Sequence, residues 1–270
     1  MKLAFTVATP DTADSTILAL RGGLEENFRF LADLGYRGVD LMLRDPNRLD
    51  AARIRSLAQE AGIRIIAVST GQVSKEDALS LCHPDQSIQK KTVLRTRQII
   101  DFAAAFPAPV NIGTLRGKLA EKTRDQQLQA ARENLAELLE HAQSRQVQIA
   151  LEPQNRYVIN WLNTVEETLH WMEQFSTSNL SLLFDVYHAI LEERSVYAGL
   201  IRAFPRLSEI QVSDSNRRIP GDGQFNFAEL VRILRALDYQ GYVTVEALPR
   251  PSAEEAARRA ARYLKRLLRD

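Results

Sequence analysis

Cysteine is nearly absent from this chain: Cys82 is the only one in 270 residues. No disulfide can form within the chain, and a lone thiol fits a reducing compartment. Charge of either sign is not in excess, with 35 Lys+Arg against 34 Asp+Glu and a net charge of +1. That balance removes any bulk electrostatic pull toward nucleic acid or an anionic membrane. Long apolar runs are missing too. The opening MKLAFTVATPD is too short in apolar residues for a signal peptide, and no segment approaches a membrane span. No low-complexity stretch or long linker divides the chain. The expectation is a cytoplasmic enzyme acting on a small molecule, with no nucleic-acid or membrane partner; a monomer and a homo-oligomer both remain open.

What is present is ordinary globular material, 45% hydrophobic and 26% charged. The length suits one α/β barrel, which takes about 250 residues, and can bury a sizeable core without staples. Short β-rich apolar runs alternate with longer helical patterns. The expected strands are 3–7, 38–43, 63–68, 110–112, 147–151, 180–184, 208–212 and 242–245. Between them lie segments of helical period, such as Leu128, Ala131, Leu135, Leu138 and Ala142. Asn226 with Glu229, and Ser252 with Glu255, have capping-box spacing, and Gly35 closes the first helix. Eight βα units predict a (β/α)₈ barrel, one domain over 1–270. A doubly wound sheet is disfavoured because no strand leads into a GxGxxG turn. Segment 71–87 reads as the longest irregular connection, of the kind that often forms a lid.

In parallel barrels the active site lies at the C-terminal ends of the strands. Strand five ends on Glu152, which Pro153 keeps extended, and strand six ends on Asp185, with His188 three residues on. Strand seven presents Gln211 and Ser213 on one face and then Asp214; strand eight ends on Glu246. One acid at a strand end is more often a cap or an ion-pair partner than a ligand. Four oxygen donors on successive strands are another matter. Three carboxylates converging in a half-buried mouth repel by several kcal/mol unless a cation compensates. The reading is one divalent ion held by Glu152, Asp185, Gln211 and Glu246. All-oxygen ligation favours Mn²⁺ or Mg²⁺ over Co²⁺ or Zn²⁺.

The strings LEPQNRY, FDVYHA, QVSDSNRRIPGDGQFNF and YVTVEAL resemble the xylose isomerase-like barrels, a group that includes ketose 3-epimerases, hydroxypyruvate isomerase and inosose dehydratase. The resemblance implies the same four metal ligands. It also implies Glu152 and Glu246 as an acid/base pair, and His188 and Arg217 as substrate-binding residues. Two positions depart from the epimerase pattern: Gln211 stands where those enzymes usually have His, and Val158 where they place a Glu that contacts a ketose hydroxyl. The related apurinic endonucleases need several histidines for three zinc ions. This chain has four in all, with His141 and His170 in helical patterns and His83 in a loop.

Weaker signals accompany these. Arg116, in a glycine-bounded loop after strand four, is either a phosphate- or carboxylate-binding arginine or a solvated one. The Pro220–Gly223 turn either shapes the rim beyond Arg217 or is only a turn. The basic run Arg258–Arg269 reads as the solvated face of the last helix. Together the residues predict a metal-dependent isomerase or epimerase of a small sugar, working by proton abstraction next to a carbonyl through an enediolate. The alternatives are a dehydratase on the same site and a non-catalytic sugar-binding barrel.

Overall fold

In the computed structural model, which describes residues 1–269, eight strands pair in chain order and close into an all-parallel barrel. They are β1 (Lys2–Ala8), β2 (Gly38–Met42), β3 (Arg64–Ser69), β4 (Val110–Ile112), β5 (Ile149–Leu151), β6 (Leu180–Asp185), β7 (Leu207–Val212) and β8 (Tyr242–Val245). The helices are α1 (Leu24–Asp33), α2 (Ala51–Glu60), α3 (Gly71–Asp77), α4 (Gln86–Ala103), α5 (Arg124–Ser144), α6 (Val165–Met172), α7 (Val186–Glu192), α8 (Val196–Ala203), α9 (Phe227–Ala236) and α10 (Ala253–Arg269).

The strands bury both faces, one against the helices and one inside the barrel, and this is why β6 (LSLLFD) is buried at every position. The helices bury one stripe each. On α9 the stripe is Phe227, Leu230, Val231 and Leu234. The expected caps form: Asn226 accepts from the Glu229 amide at 3.1 Å, and Ser252 from the Glu255 amide at 3.2 Å. Gly35 follows α1 with φ +81°, a left-handed conformation that glycine adopts without strain. The run on α10 buries its alanines and Leu264, while Arg259 pairs with Asp222 and Arg258 lies over the Phe30 ring.

Two sequence expectations need correction. Segment 71–87 is not one irregular connection, because α3 fills its first part and α4 begins at Gln86. The longer connections are 9–23, 152–164 and 213–226, all on the C-terminal side of the strands. Strand five begins at Ile149 rather than at 147, because the Val147 amide is spent closing α5 on the Ala142 carbonyl.

Candidate metal and active site

The site lies at the C-terminal mouth, in a cavity of about 700 Å³. Glu152 follows β5 and Glu246 follows β8, Asp185 is the last residue of β6, and Gln211 lies within β7. Glu152, Gln211 and Glu246 line this cavity, and Asp185 stands beside it, paired with Arg217. Asp185 also caps α7, accepting from the Tyr187 amide at 2.8 Å, so a short helix fixes its carboxylate. Glu152 accepts from Gln154 Nε2 at 2.8 Å. A Cβ on Gly113 would collide with both side chains of that pair, and only glycine lets the β4 loop approach so closely.

Arg217 is the positive charge among these acids. Its guanidinium donates to Asp185 Oδ2 at 2.6 Å, to Ser213 Oγ at 3.1 Å and to Glu246 Oε2. It also stacks over the Tyr187 ring, 4.8 Å from the centroid. The loop after β7 is built to put it there. Asp214 accepts from the amides of Ser215, Gly221 and Phe225, so the Pro220–Gly223 turn wraps around a buried carboxylate. Arg217 itself sits at φ +60°, a left-handed conformation uncommon for a non-glycine residue and of a kind that clusters at functional sites.

His188 is buried, with Nε2 3.4 Å from Glu152 Oε1 and 3.7 Å from Asp185 Oδ2. Glu152, Asp185 and His188 each place a ligand-capable atom within 4.8 Å of the others. The imidazole is nevertheless a poor ligand in this arrangement. Its Nδ1 accepts from the Asn155 backbone N–H at 3.3 Å, which can only donate, and lies 2.7 Å from Asn155 Nδ2. The ring proton therefore belongs on Nε2, pointing at the carboxylates. Burial lowers the His188 pKa to about 4, so the ring is neutral.

The electrostatics ask for a cation. Burial, then the neighbouring Glu246 and Asp185, push the Glu152 carboxyl well above its ordinary value. Burial likewise lifts Glu246 to about 8 in spite of Arg217. Asp185 alone is held below its usual value: burial works against it, but the charge and hydrogen bond of Arg217, with the Tyr187 amide, outweigh that. Raised values mean that Glu152 and Glu246 resist ionising without a counter-charge; with all three ionised, one guanidinium would leave two negative charges, the balance a divalent ion supplies. The donor set fits such an ion.

Arg116 is placed otherwise than the sequence suggested. It is neither solvated nor open to a ligand, because its guanidinium is buried and donates to the carbonyls of Gly113, Glu152, Trp161 and Leu162 at 2.7–3.2 Å. It braces the backbone that carries Glu152. Beside it, Trp161 is buried, donating to the Gly117 carbonyl, and Phe184 is core. Val158 lines the cavity. Two residues escaped sequence reasoning: Asp40 on β2 and Glu209 on β7, both buried inside the barrel below the mouth. Burial lifts Glu209 to about 7. A carboxylate inside an apolar strand was the available signal.

A parallel eight-stranded barrel with an acid-lined mouth defines the class. A family model described as "Xylose isomerase-like TIM barrel" matches residues 28–267, and the chain belongs to that family. It is 26% identical over 235 residues to a probable ketose 3-epimerase of Synechocystis, covering 84% of this chain and 79% of the relative. It is 32% identical over 204 residues to a D-psicose 3-epimerase of Enterocloster bolteae, covering 72% and 64%. Among solved structures, the 3-keto-D-glucoside 4-epimerase of E. coli superposes with a TM-score of 0.81 at 18% identity, covering 98% of this chain and 100% of that one. The D-psicose 3-epimerase of Clostridium cellulolyticum, solved with D-tagatose, gives 0.81 at 17%, covering 99% of each. At such identities the structures establish the shared fold.

Proposed function

We propose that this protein is a divalent-metal-dependent epimerase of a small keto sugar. The observation that carries the reading is the group of Glu152, Asp185 and Glu246 set about one guanidinium, the first two buried and the third largely so, two positive charges short once all three ionise. Glu152, Asp185, Gln211 and Glu246 would hold the ion, and their oxygen donors suit Mn²⁺ or Mg²⁺. Bound there, it supplies Lewis acidity to a substrate carbonyl.

The rest falls to the side chains. Glu152 and Glu246 follow β5 and β8, three strands apart around the ring, and so reach a substrate from different sides. One carboxylate oxygen takes the proton from the carbon beside the carbonyl, and the electron pair moves into the carbonyl. The other glutamate, protonated, returns a proton to the opposite face of the same carbon, and the configuration inverts. His188 offers its Nε2–H, and Arg217 its guanidinium, to substrate oxygens. Arg116, spent on backbone carbonyls, has no such part. The names of the relatives support a keto sugar as substrate.

A panel of ketopentoses and ketohexoses incubated with Mn²⁺ or Mg²⁺ in D₂O tests the reading. The expected products are epimer pairs carrying one deuterium at the inverted carbon. An aldose product or loss of water would assign isomerisation or dehydration instead, and no turnover of any ketose would overturn the proposal.

A further inference from the structure

From the floor of the cavity into the barrel, five polar side chains form one connected row, of which Gln211, Ser69 and Asn111 line the cavity. Gln211 Nε2 donates to Asp40 Oδ2 at 3.0 Å, and Ser69 Oγ donates to the same oxygen at 2.7 Å. Asn111 Nδ2 then bridges Ser69 Oγ at 3.2 Å and Glu209 Oε2 at 2.8 Å. Asp40 is fully buried and Glu209 nearly so. The sheet is adjusted at both acids. Pairing of β2 with β3 slips between Val39 and Asp40, and pairing of β6 with β7 slips between Leu182 and Leu183, just ahead of Glu209. Slips of this kind re-aim side chains. Here they accompany the two acids that the barrel interior would otherwise exclude.

The bond from Gln211 to Asp40 bears on ligation. The two ends of a glutamine amide are alike in shape and opposite in chemistry: one donates, the other accepts. Asp40 Oδ2 already accepts from Ser69, whose hydroxyl is itself held by Asn111, and an accepting oxygen can hold only the NH₂ end, which leaves Oε1 as the atom Gln211 can present to the cavity it lines. Turned over, the amide would offer hydrogens to a cation and repel it. We propose that Asp40 is a positioning residue that locks the amide of Gln211 with its oxygen toward the cation site, with Ser69 as the second anchor of the same carboxylate. This rests on the reading of Gln211 as a ligand. Partners of this kind orient the ligands they touch, and losing one typically costs about 10–100-fold in metal affinity.

The test is an equilibrium titration of metal-stripped full-length protein with Mn²⁺, following free Mn²⁺ by electron paramagnetic resonance, with thermal melts to check folding. Asp40→Leu removes the acceptor and should weaken binding by about 10–100-fold. Asp40→Asn keeps an acceptor oxygen in the same place and should restore binding close to the parent. Ser69→Ala loosens the carboxylate and should give a smaller loss in the same direction, which serves if Asp40→Leu does not fold. In a Gln211→Ala background, Asp40→Leu should add no further loss, because the residue it positions is gone. Full-strength binding by a folded Asp40→Leu protein, or an undiminished loss in the Gln211→Ala background, overturns the proposal alone. Gln211→Ala binding Mn²⁺ as tightly as the parent removes the ligand assignment, and the proposal with it.

Discussion

The two halves of the barrel mouth are unlike. Glu152 and Glu246 directly follow β5 and β8, Asp185 ends β6, and the loop after β7 adds Arg217. Strands β3 and β4 instead offer Ser69 and Asn111, neutral groups that reach inward, and the β4 loop contributes a glycine pressed against Glu152. The early half forms floor and wall; the late half gathers charge. A barrel can thus change its chemistry through a few residues on one arc while the opposite arc keeps their geometry.

The contrast can be broken most severely from the late arc. Glu152→Gln and Glu246→Gln each keep an oxygen donor and remove a proton acceptor, so turnover of a ketose substrate should fall at least ~10²-fold in either variant. Near-native turnover in both would remove the two-base scheme. A comparable effect in energy should come from the ion itself. At a free Mn²⁺ concentration of 100 times Kd the native state gains about 2.7 kcal/mol, which should raise the melting temperature by roughly 5 °C. Calorimetry on Asp185→Ala, which lacks one donor, should show little of that rise.

The early arc is sharpened by a substitution that adds rather than removes. Gly113→Val drives a side chain into Glu152 and Gln154, and overpacking of this kind costs about 1–3 kcal/mol. Denaturant melts would measure that loss, and an unchanged midpoint would show that the two arcs do not press on each other there. The smallest effect belongs to Cys82, buried in the early half with its thiol pushed up to about 11 by burial. A thiol reagent at pH 7 should leave the native protein unlabelled and label it fully once unfolded. Rapid labelling of native protein would show that this wall opens.

Strands such as 110–112 and 242–245 were legible because short β-branched runs have few alternatives, and the four oxygen donors because they recur at one depth on successive strands. The rest depends on contacts distant in sequence. GQVSKED has no apolar period to announce α3. Arg116 looks like any loop arginine until the carbonyls of Glu152, Trp161 and Leu162 come round to it. Asp40 was visible in GVDLM, but it lies within its strand, away from the ends where barrel chemistry is sought.

Closure of the sheet orders events in time. β1 takes β2 as one neighbour and β8 as the other, with Lys2–Phe5 lying against Tyr242–Val245. During synthesis the first strand can find its early partner within some forty residues, yet one of its flanks stays bare until almost the whole chain has been made. Pairing over such a separation carries a high loop-closure cost and slows folding. The residue that follows this last strand is Glu246. The step that seals the barrel is therefore also the step that delivers the final acid, and an unfinished chain offers a passing metal ion only part of a site.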